Sequence, residues 1–232
     1  MKAKQLIDQA RSQQRASLDE QSGKSLLASY GLTVPQSRTV KSASEVDAAF
    51  AQLKPPVVVK IMSPDILHKS DAGGVKVGLK SAGEVKDAIK AMAASPQIAK
   101  AKIDGYLIEE MAPVGQEIVI GGLRDPNFGP LVMVGLGGIF VEVLRDVSFR
   151  ICPITRVDAE EMIDDLKGAA ILAGARGRKR ASRAAIVDAL LKVGGENGLL
   201  LSHAEDIKEA DINPMIVSEN GAVAVDARFI LG

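Results

Sequence analysis

Near the C-terminus, oxygen-bearing side chains recur at a spacing that suits a hard cation. Asp211-Ile212-Asn213-Pro214-Met215-Ile216-Val217 and Ala222-Val223-Ala224-Val225-Asp226-Ala227-Arg228 flank Ser218-Glu219-Asn220-Gly221, which predicts a β-hairpin with a four-residue loop. Pairing Val217 with Ala222 puts Met215 opposite Ala224 and Asn213 opposite Asp226. Opposed residues hold their Cβ atoms ~4.5–5.5 Å apart, so an amide oxygen and a carboxylate would converge on one face. Asp211 would lie two residues further along. Hard oxygen donors of low total charge, leaving room for phosphate oxygens, suit Mg²⁺. The competing reading is a polar hairpin end. Register decides, because a two-residue Asn220-Gly221 loop would put Asn213 opposite Arg228.

A second cluster begins at Lys60, which ends the apolar run Val57-Val58-Val59-Lys60-Ile61-Met62. Burying an ammonium is costly unless an anion meets it, so Lys60 reads either as a phosphate ligand or as a strand-end side chain reaching solvent. The following loop, Ser63 to Gly74, holds His68, Lys69, Ser70, Gly73 and Gly74. Its glycine N–H groups could approach phosphate closely, and a neutral imidazole nitrogen can accept a phosphoryl group. An exposed loop histidine without a role is the alternative for His68. The loop lacks the GxxxxGK[ST] order of a P-loop, and no GxGxxG opens a helix. The other histidine, His203, lies near a helix end and reads as a surface or capping residue.

The elements that must position these groups follow from pattern. Helices are expected over 2–16 and 18–30, the latter stopped by Gly31. Ser42-x-x-Glu45 and Ser81-x-x-Glu84 each precede an Ala-rich run as a capping box. Val57–Met62 is a buried strand by its β-branched content. From Gly105 the texture turns β-rich, with strands expected at 106–110, 116–123, 131–136 and 139–144. Helices return at 158–166 and 182–194, separated by the basic linker 168–180 with Arg176, Arg178, Lys179 and Arg180. The expected organisation is α+β (α/β): an N-terminal helix over 1–17, a small lobe over 18–104 and a large lobe over 105–232.

Composition narrows the function classes. The 232 residues carry 29 Lys+Arg and 29 Asp+Glu, a net charge of +0, which argues against a broad nucleic-acid-binding face. Aromatic residues are 3 % with no Trp, too few for a base-stacking platform. One cysteine, Cys152, allows neither an internal disulfide nor a cysteine zinc site, so a cytoplasmic location is expected. The N-terminus has no apolar signal region and no stretch suits a membrane span.

Four blocks in order, KIMSPDILHKSDAGGVKVGL (60–79), LIEEMAPVGQEIVIGG (107–122), FGPLVMVGLGGIFVEVLRDVSFRICP (128–153) and DINPMIV…AVDA, give the chain its resemblance to the ATP-grasp part of the NDP-forming acyl-CoA synthetases. It is most similar to the β subunit of ADP-forming acetate–CoA ligases, relatives of the succinyl-CoA synthetase β chain. The resemblance covers nearly the whole chain and implies two lobes with ATP/ADP bound between them. Residue by residue, it implies that Lys60, Ser70, Gly73 and Gly74 meet phosphates and that Glu109, Glu110 and Met111 form the hinge facing adenine. Glu117 then lies near the ribose, Asn213 and Asp226 hold Mg²⁺, and His68 carries the phosphoryl group. Asp211 departs from the Glu common in the E-I-N-P motif. Glu142, Asp146 and Arg150 lie in a matched block without an assigned role.

The chemistry so implied couples ATP to an acyl-CoA thioester through a phosphohistidine. With no separate CoA-binding domain in the sequence, CoA and the carboxylic acid are expected on a partner α subunit in an α2β2 assembly. The start at Met1 reads as that of a separate subunit. Two alternatives stand beside this: an ATP-grasp carboxylate–amine ligase without a phosphohistidine, and a non-catalytic ATP-sensing module of a larger assembly.

Overall fold

The computed structural model describes residues 3–66, 69–138, 141, 143–175 and 179–232. The chain divides into two compact units, one of residues 35–112 and one of 1–34 with 113–232.

The smaller unit is a four-stranded antiparallel sheet in the order β1-β4-β2-β3, from β1 (Ser37–Val40), β2 (Val57–Met62), β3 (Val75–Leu79) and β4 (Gly105–Glu110). Val57, Val59 and Ile61 of β2 pack with Val46 of α3 (Val46–Phe50) and with Val85, Ile89 and Met92 of the helix Ala82–Ala94, here α4. Val58 and Lys60 take the opposite face and are also buried, which is why this strand reads as a continuous run rather than an alternation. Ser81 caps α4 by accepting a hydrogen bond from the Glu84 N–H, and the Glu84 carboxylate accepts from the Lys80 N–H. At the other Ser-x-x-Glu, Ser42 makes no cap bond and a 3-10 turn over Ala43–Glu45 precedes α3. There the Ser42 and Ser44 hydroxyls pair with each other instead.

The larger unit is a six-stranded sheet in the order β10-β8-β5-β6-β7, with β9 also on β8. Its strands are β5 (Gln116–Asp125), β6 (Gly129–Leu136), β7 (Val147–Ile151), β8 (Ile207–Ser218), β9 (Gly221–Ala224) and β10 (Arg228–Leu231). One face is covered by helices. Ile118, Val134 and Ile212 share a core with Met162 of α5 (Arg156–Asp164), Leu190 of α7 (Arg183–Gly194) and Leu200 of α8 (Leu199–Ser202). Between α5 and α7 lies the short α6 (Ala169–Leu172). Each fully buried aliphatic side chain contributes about 1.5–3 kcal/mol relative to exposure. The other face carries the alternate residues, among them Glu117 on β5, Met133 on β6, Asp211 and Asn213 on β8 and Arg228 on β10.

The division differs from the lobes expected at 104/105. The shift to β-rich texture at Gly105 marks the start of β4, which pairs residue by residue with both β1 and β2 and so belongs to the smaller unit. The N-terminal helices, α1 (Ala3–Ser12) and α2 (Glu20–Ser29), send Leu6, Ile7, Leu26 and Leu27 into the core of the larger unit. Their apolar stripes need a sheet face to cover them. Within the segment expected as a strand over 139–144, Val141 is helical and 143–144 form a turn. Ile139, Phe140 and Glu142 lie outside the described residues, as do Arg176 and Arg178 of the basic linker.

Candidate functional site

In the smaller unit, Lys60 is a buried cation with a buried partner. Its Nζ lies 2.5 Å from Oε1 of Glu109, and the two residues are 5 % and 0 % exposed. Register explains the meeting: Glu109 stands opposite Val58 and Leu107 opposite Lys60, so the charged residues are diagonal neighbours on one sheet face. Glu109 was expected at the adenine hinge. Its carboxylate is instead sealed against Lys60, while the chain continues into half-buried Glu110 and exposed Met111. The Glu110 carboxylate accepts a hydrogen bond from the Lys54 N–H at 2.9 Å, and the Met111 N–H donates to the Pro56 carbonyl.

The loop after β2 returns to the same strand. Gly74 donates to the Lys69 carbonyl at 2.7 Å, Gly73 to the Ser70 carbonyl at 3.1 Å, and the Ile61 N–H donates to the Gly74 carbonyl at 2.8 Å. Both glycine amides are therefore engaged within the turn, so the pair shapes the loop. A Cβ on Gly74 would collide with Ile61 Cγ2 and crowd the Lys69 carbonyl at 3.1 Å, which only glycine avoids. Ser70 and Gly73 are exposed. His68 lies outside the described residues.

In the larger unit the hairpin has the register expected from sequence. Met215 faces Ala224 and Val217 faces Ala222. Ser218 also pairs with Gly221, so the connecting loop is Glu219-Asn220 rather than four residues. Beyond β9 the pairing continues, with the Asn213 N–H donating to the Asp226 carbonyl at 3.2 Å and Val225 to the Pro214 carbonyl at 3.0 Å. Asn213 and Asp226 are thus opposed, and Asp211 is exposed on the same edge of β8, facing Arg228. The Asp211 carboxyl lies above its ordinary range. Burial is the first cause and the negative charge of Asp226 the second, with Arg228 acting against them. A carboxylate raised by a neighbouring carboxylate, in a row with an asparagine, is a donor set that a dication would relieve. Among the described residues no three His, Cys, Asp or Glu gather for a metal.

Glu117 is exposed on β5, and its strand backbone is approached closely by the Gly137 turn. A Cβ on Gly137 would lie 2.7 Å from the Glu117 Cβ, and the Gly137 N–H donates to the Glu117 carbonyl at 2.8 Å. The structure also supplies roles left open by sequence. Asp146, 4 % exposed, accepts from the Lys167 and Gly168 N–H groups at 2.8 Å each, fixing the turn before α6. Arg150 pairs with Asp165 at 2.9 Å. Both act in the scaffold. His203 caps α8 and is buried, with Nδ1 3.5 Å from an Asp206 carboxylate oxygen. The pairing of Glu109 with Lys60 had no local sequence signal, because it depends on β2 and β4 being neighbours across more than forty residues of chain.

The chain is similar to known proteins over nearly its whole length. The family model described as "ATP-grasp domain" matches residues 9–231. Acetate–CoA ligase [ADP-forming] I subunit beta of Pyrococcus furiosus is 45 % identical over 232 residues, 99 % of this chain and 98 % of that one. A solved structure of Ca. Korarchaeum cryptofilum dinucleotide forming acetyl-coenzyme A synthetase 1, in complex with coenzyme A, Ca-AMPCP and HgCl+, superposes with a TM-score of 0.92. It is 43 % identical and covers 99 % of this chain and 100 % of that one. A second structure of that synthetase, with coenzyme A and Mg-AMPPCP and its phosphohistidine segment pointing towards the nucleotide binding site, has a TM-score of 0.83. Its identity is 42 %, with 99 % and 100 % coverage.

Proposed function

The chain belongs to the ATP-grasp domain family, and from that membership we propose that it is the nucleotide-binding β subunit of an ADP-forming acyl-CoA ligase of the acetate–CoA type. The observation that carries the reading is the hairpin register. It opposes Asn213 to Asp226 beside Asp211, in a chain that matches such a β subunit over almost its full length.

In this reading Lys60 offsets phosphate charge, and Glu109 holds the ammonium in place. Glu110 and Met111 lie at the base, Glu117 at the ribose. Asn213 and Asp226 would hold Mg²⁺, with Asp211 beside them, and the ion when bound neutralises charge on the phosphate oxygens. Phosphoryl transfer is then chiefly positioning and electrostatic stabilisation. A ring nitrogen of His68 forms a bond to the γ-phosphorus as the bond to the β–γ bridging oxygen breaks, and ADP leaves with that oxygen. The phosphorylated loop residue then delivers its group to a carboxylic acid on a partner α subunit, which also binds CoA, in an α2β2 assembly. Ser70, Gly73 and Gly74 set the shape of the loop that carries His68. Among the described residues no helix is long and apolar enough to cross a membrane.

The test is a His68→Asn variant assayed with γ-labelled ATP in the presence of the partner subunit. Labelling of the chain and CoA-dependent ADP release should both vanish, while Mg·ADP binding stays near the parent's. Undiminished labelling would remove the phosphohistidine from the scheme.

A further inference from the structure

Past the hairpin pair, the open face of the six-stranded sheet continues into a depression of about 360 Å³ that the scheme above leaves unused. Gly121, Leu131, Met133 and Phe149 line it, and its charged residues are Glu209, Asp211 and Arg228. Arg228 is exposed, and among the described residues its guanidinium enters no hydrogen bond or ion pair. It stands opposite Asp211 in the β10–β8 register, and Asp211 stands opposite Gly121 in the β8–β5 register.

The registers also give an order along the face. β5 enters the sheet with Gln116 opposite Val217 and Glu117 opposite Ile216. The Asn213–Asp226 pair follows, and the row Gly121, Asp211, Arg228 lies beyond it. From Glu117 to Gly121 the strand advances about 13 Å, at ~3.3 Å per residue. A nucleotide with its ribose at Glu117 and its phosphates at the Asn213–Asp226 pair points its free end at Arg228.

We propose that Arg228 binds the terminal, transferable phosphoryl group of the nucleotide. The assignment rests on the nucleotide reading above and adds to it a residue that distinguishes triphosphate from diphosphate. A guanidinium presents paired donors that match two phosphate oxygens. Asp211 stands opposite it in the strand register. The competing role for Arg228 is that of a counter-ion to Asp211 alone.

The experiment compares Arg228→Gln and Arg228→Lys with the parent chain by calorimetric titration of Mg·AMPPCP and of Mg·ADP. Loss of a charge-assisted phosphate contact should weaken Mg·AMPPCP about 10- to 100-fold in Arg228→Gln. Mg·ADP should stay within about twofold, with partial recovery of Mg·AMPPCP binding in Arg228→Lys. Equal weakening of both nucleotides, or no change in either, overturns the assignment in favour of the counter-ion role. A parent chain that binds neither nucleotide overturns the nucleotide reading itself, and Arg228 falls with it. Unchanged thermal unfolding of the variants excludes misfolding, and a variant that unfolds early is replaced by Arg228→Met in the same titrations.

Discussion

Replacing Glu109 by Gln isolates the buried ammonium of Lys60. At the observed 2.5 Å and an effective dielectric near 20, the gross attraction is about 6–7 kcal/mol. Much of it offsets desolvation of the two ions, so the net effect of deleting one partner is smaller, about 3–5 kcal/mol, because it strands the other charge. For a chain of this size each kcal/mol moves Tm by about 2–4 °C, so Glu109→Gln should unfold roughly 6–20 °C earlier. If Lys60 meets nucleotide phosphates, those phosphates supply the missing counter-charge. The rise in Tm on adding Mg·ATP should then be larger in Glu109→Gln than in the parent. Lys60→Met/Glu109→Leu should recover most of the lost stability, since an apolar pair replaces an ionic one at little cost, yet gain less from Mg·ATP than the parent. Differential scanning fluorimetry of the parent, Lys60→Met, Glu109→Leu and the double variant, beside Glu109→Gln, with and without Mg·ATP, completes the cycle. A Glu109→Gln cost below about 1 kcal/mol, or a double variant as unstable as the two singles summed, would refute the reasoning.

Two further outcomes depend on burial and charge in the larger unit. The Cys152 thiol is 7 % exposed and burial pushes its pKa up to about 11, so at pH 8 its thiolate fraction is on the order of 10⁻³, about 100-fold below an ordinary thiol. Labelling with a disulfide reagent should be correspondingly slow in the native chain and immediate in guanidinium. At Asp206, burial raises the carboxyl pKa, but the hydrogen bonds from Arg11, at 2.6 Å, and from His203, together with the charge of Lys4, outweigh it and leave the group below the usual carboxylate range. A depressed carboxylate stabilises the fold above its unfolded pKa and loses that contribution as pH falls through the folded value. Asp206→Asn should therefore cost about 1–2 kcal/mol at pH 7 in urea unfolding, and the two proteins should converge in stability near pH 2–3.

Local signals account for much of the architecture. The β-branched run Val57–Met62, the Ser81 cap of α4 and the stop at Gly31 rest on interactions within a few residues, and the structure has each where the sequence pattern puts it. The hairpin register was legible for the same reason, since two short strands and their turn form one contiguous piece of chain. The turn itself was misjudged by one pair, because Ser218 and Gly221 close the ladder without a side-chain pattern to announce it.

The lobe boundary was not legible, because β4 begins with a change of texture but joins the sheet that precedes it. The same long-range pairing makes Glu109 the partner of Lys60. Asp146 and Arg150 carried no assigned role in the sequence, since their partners at 165–168 are brought near only by folding. The residue types by themselves determined the hard oxygen donors, the lysine in an apolar strand and the loop histidine, because these properties belong to each side chain and its neighbours in sequence. Only the tertiary structure decided which charges face each other and which remain open to a ligand. That outcome depends on which strands lie side by side, and β2 with β4 or β8 with β10 are joined through segments whose own patterns carry no trace of the pairing.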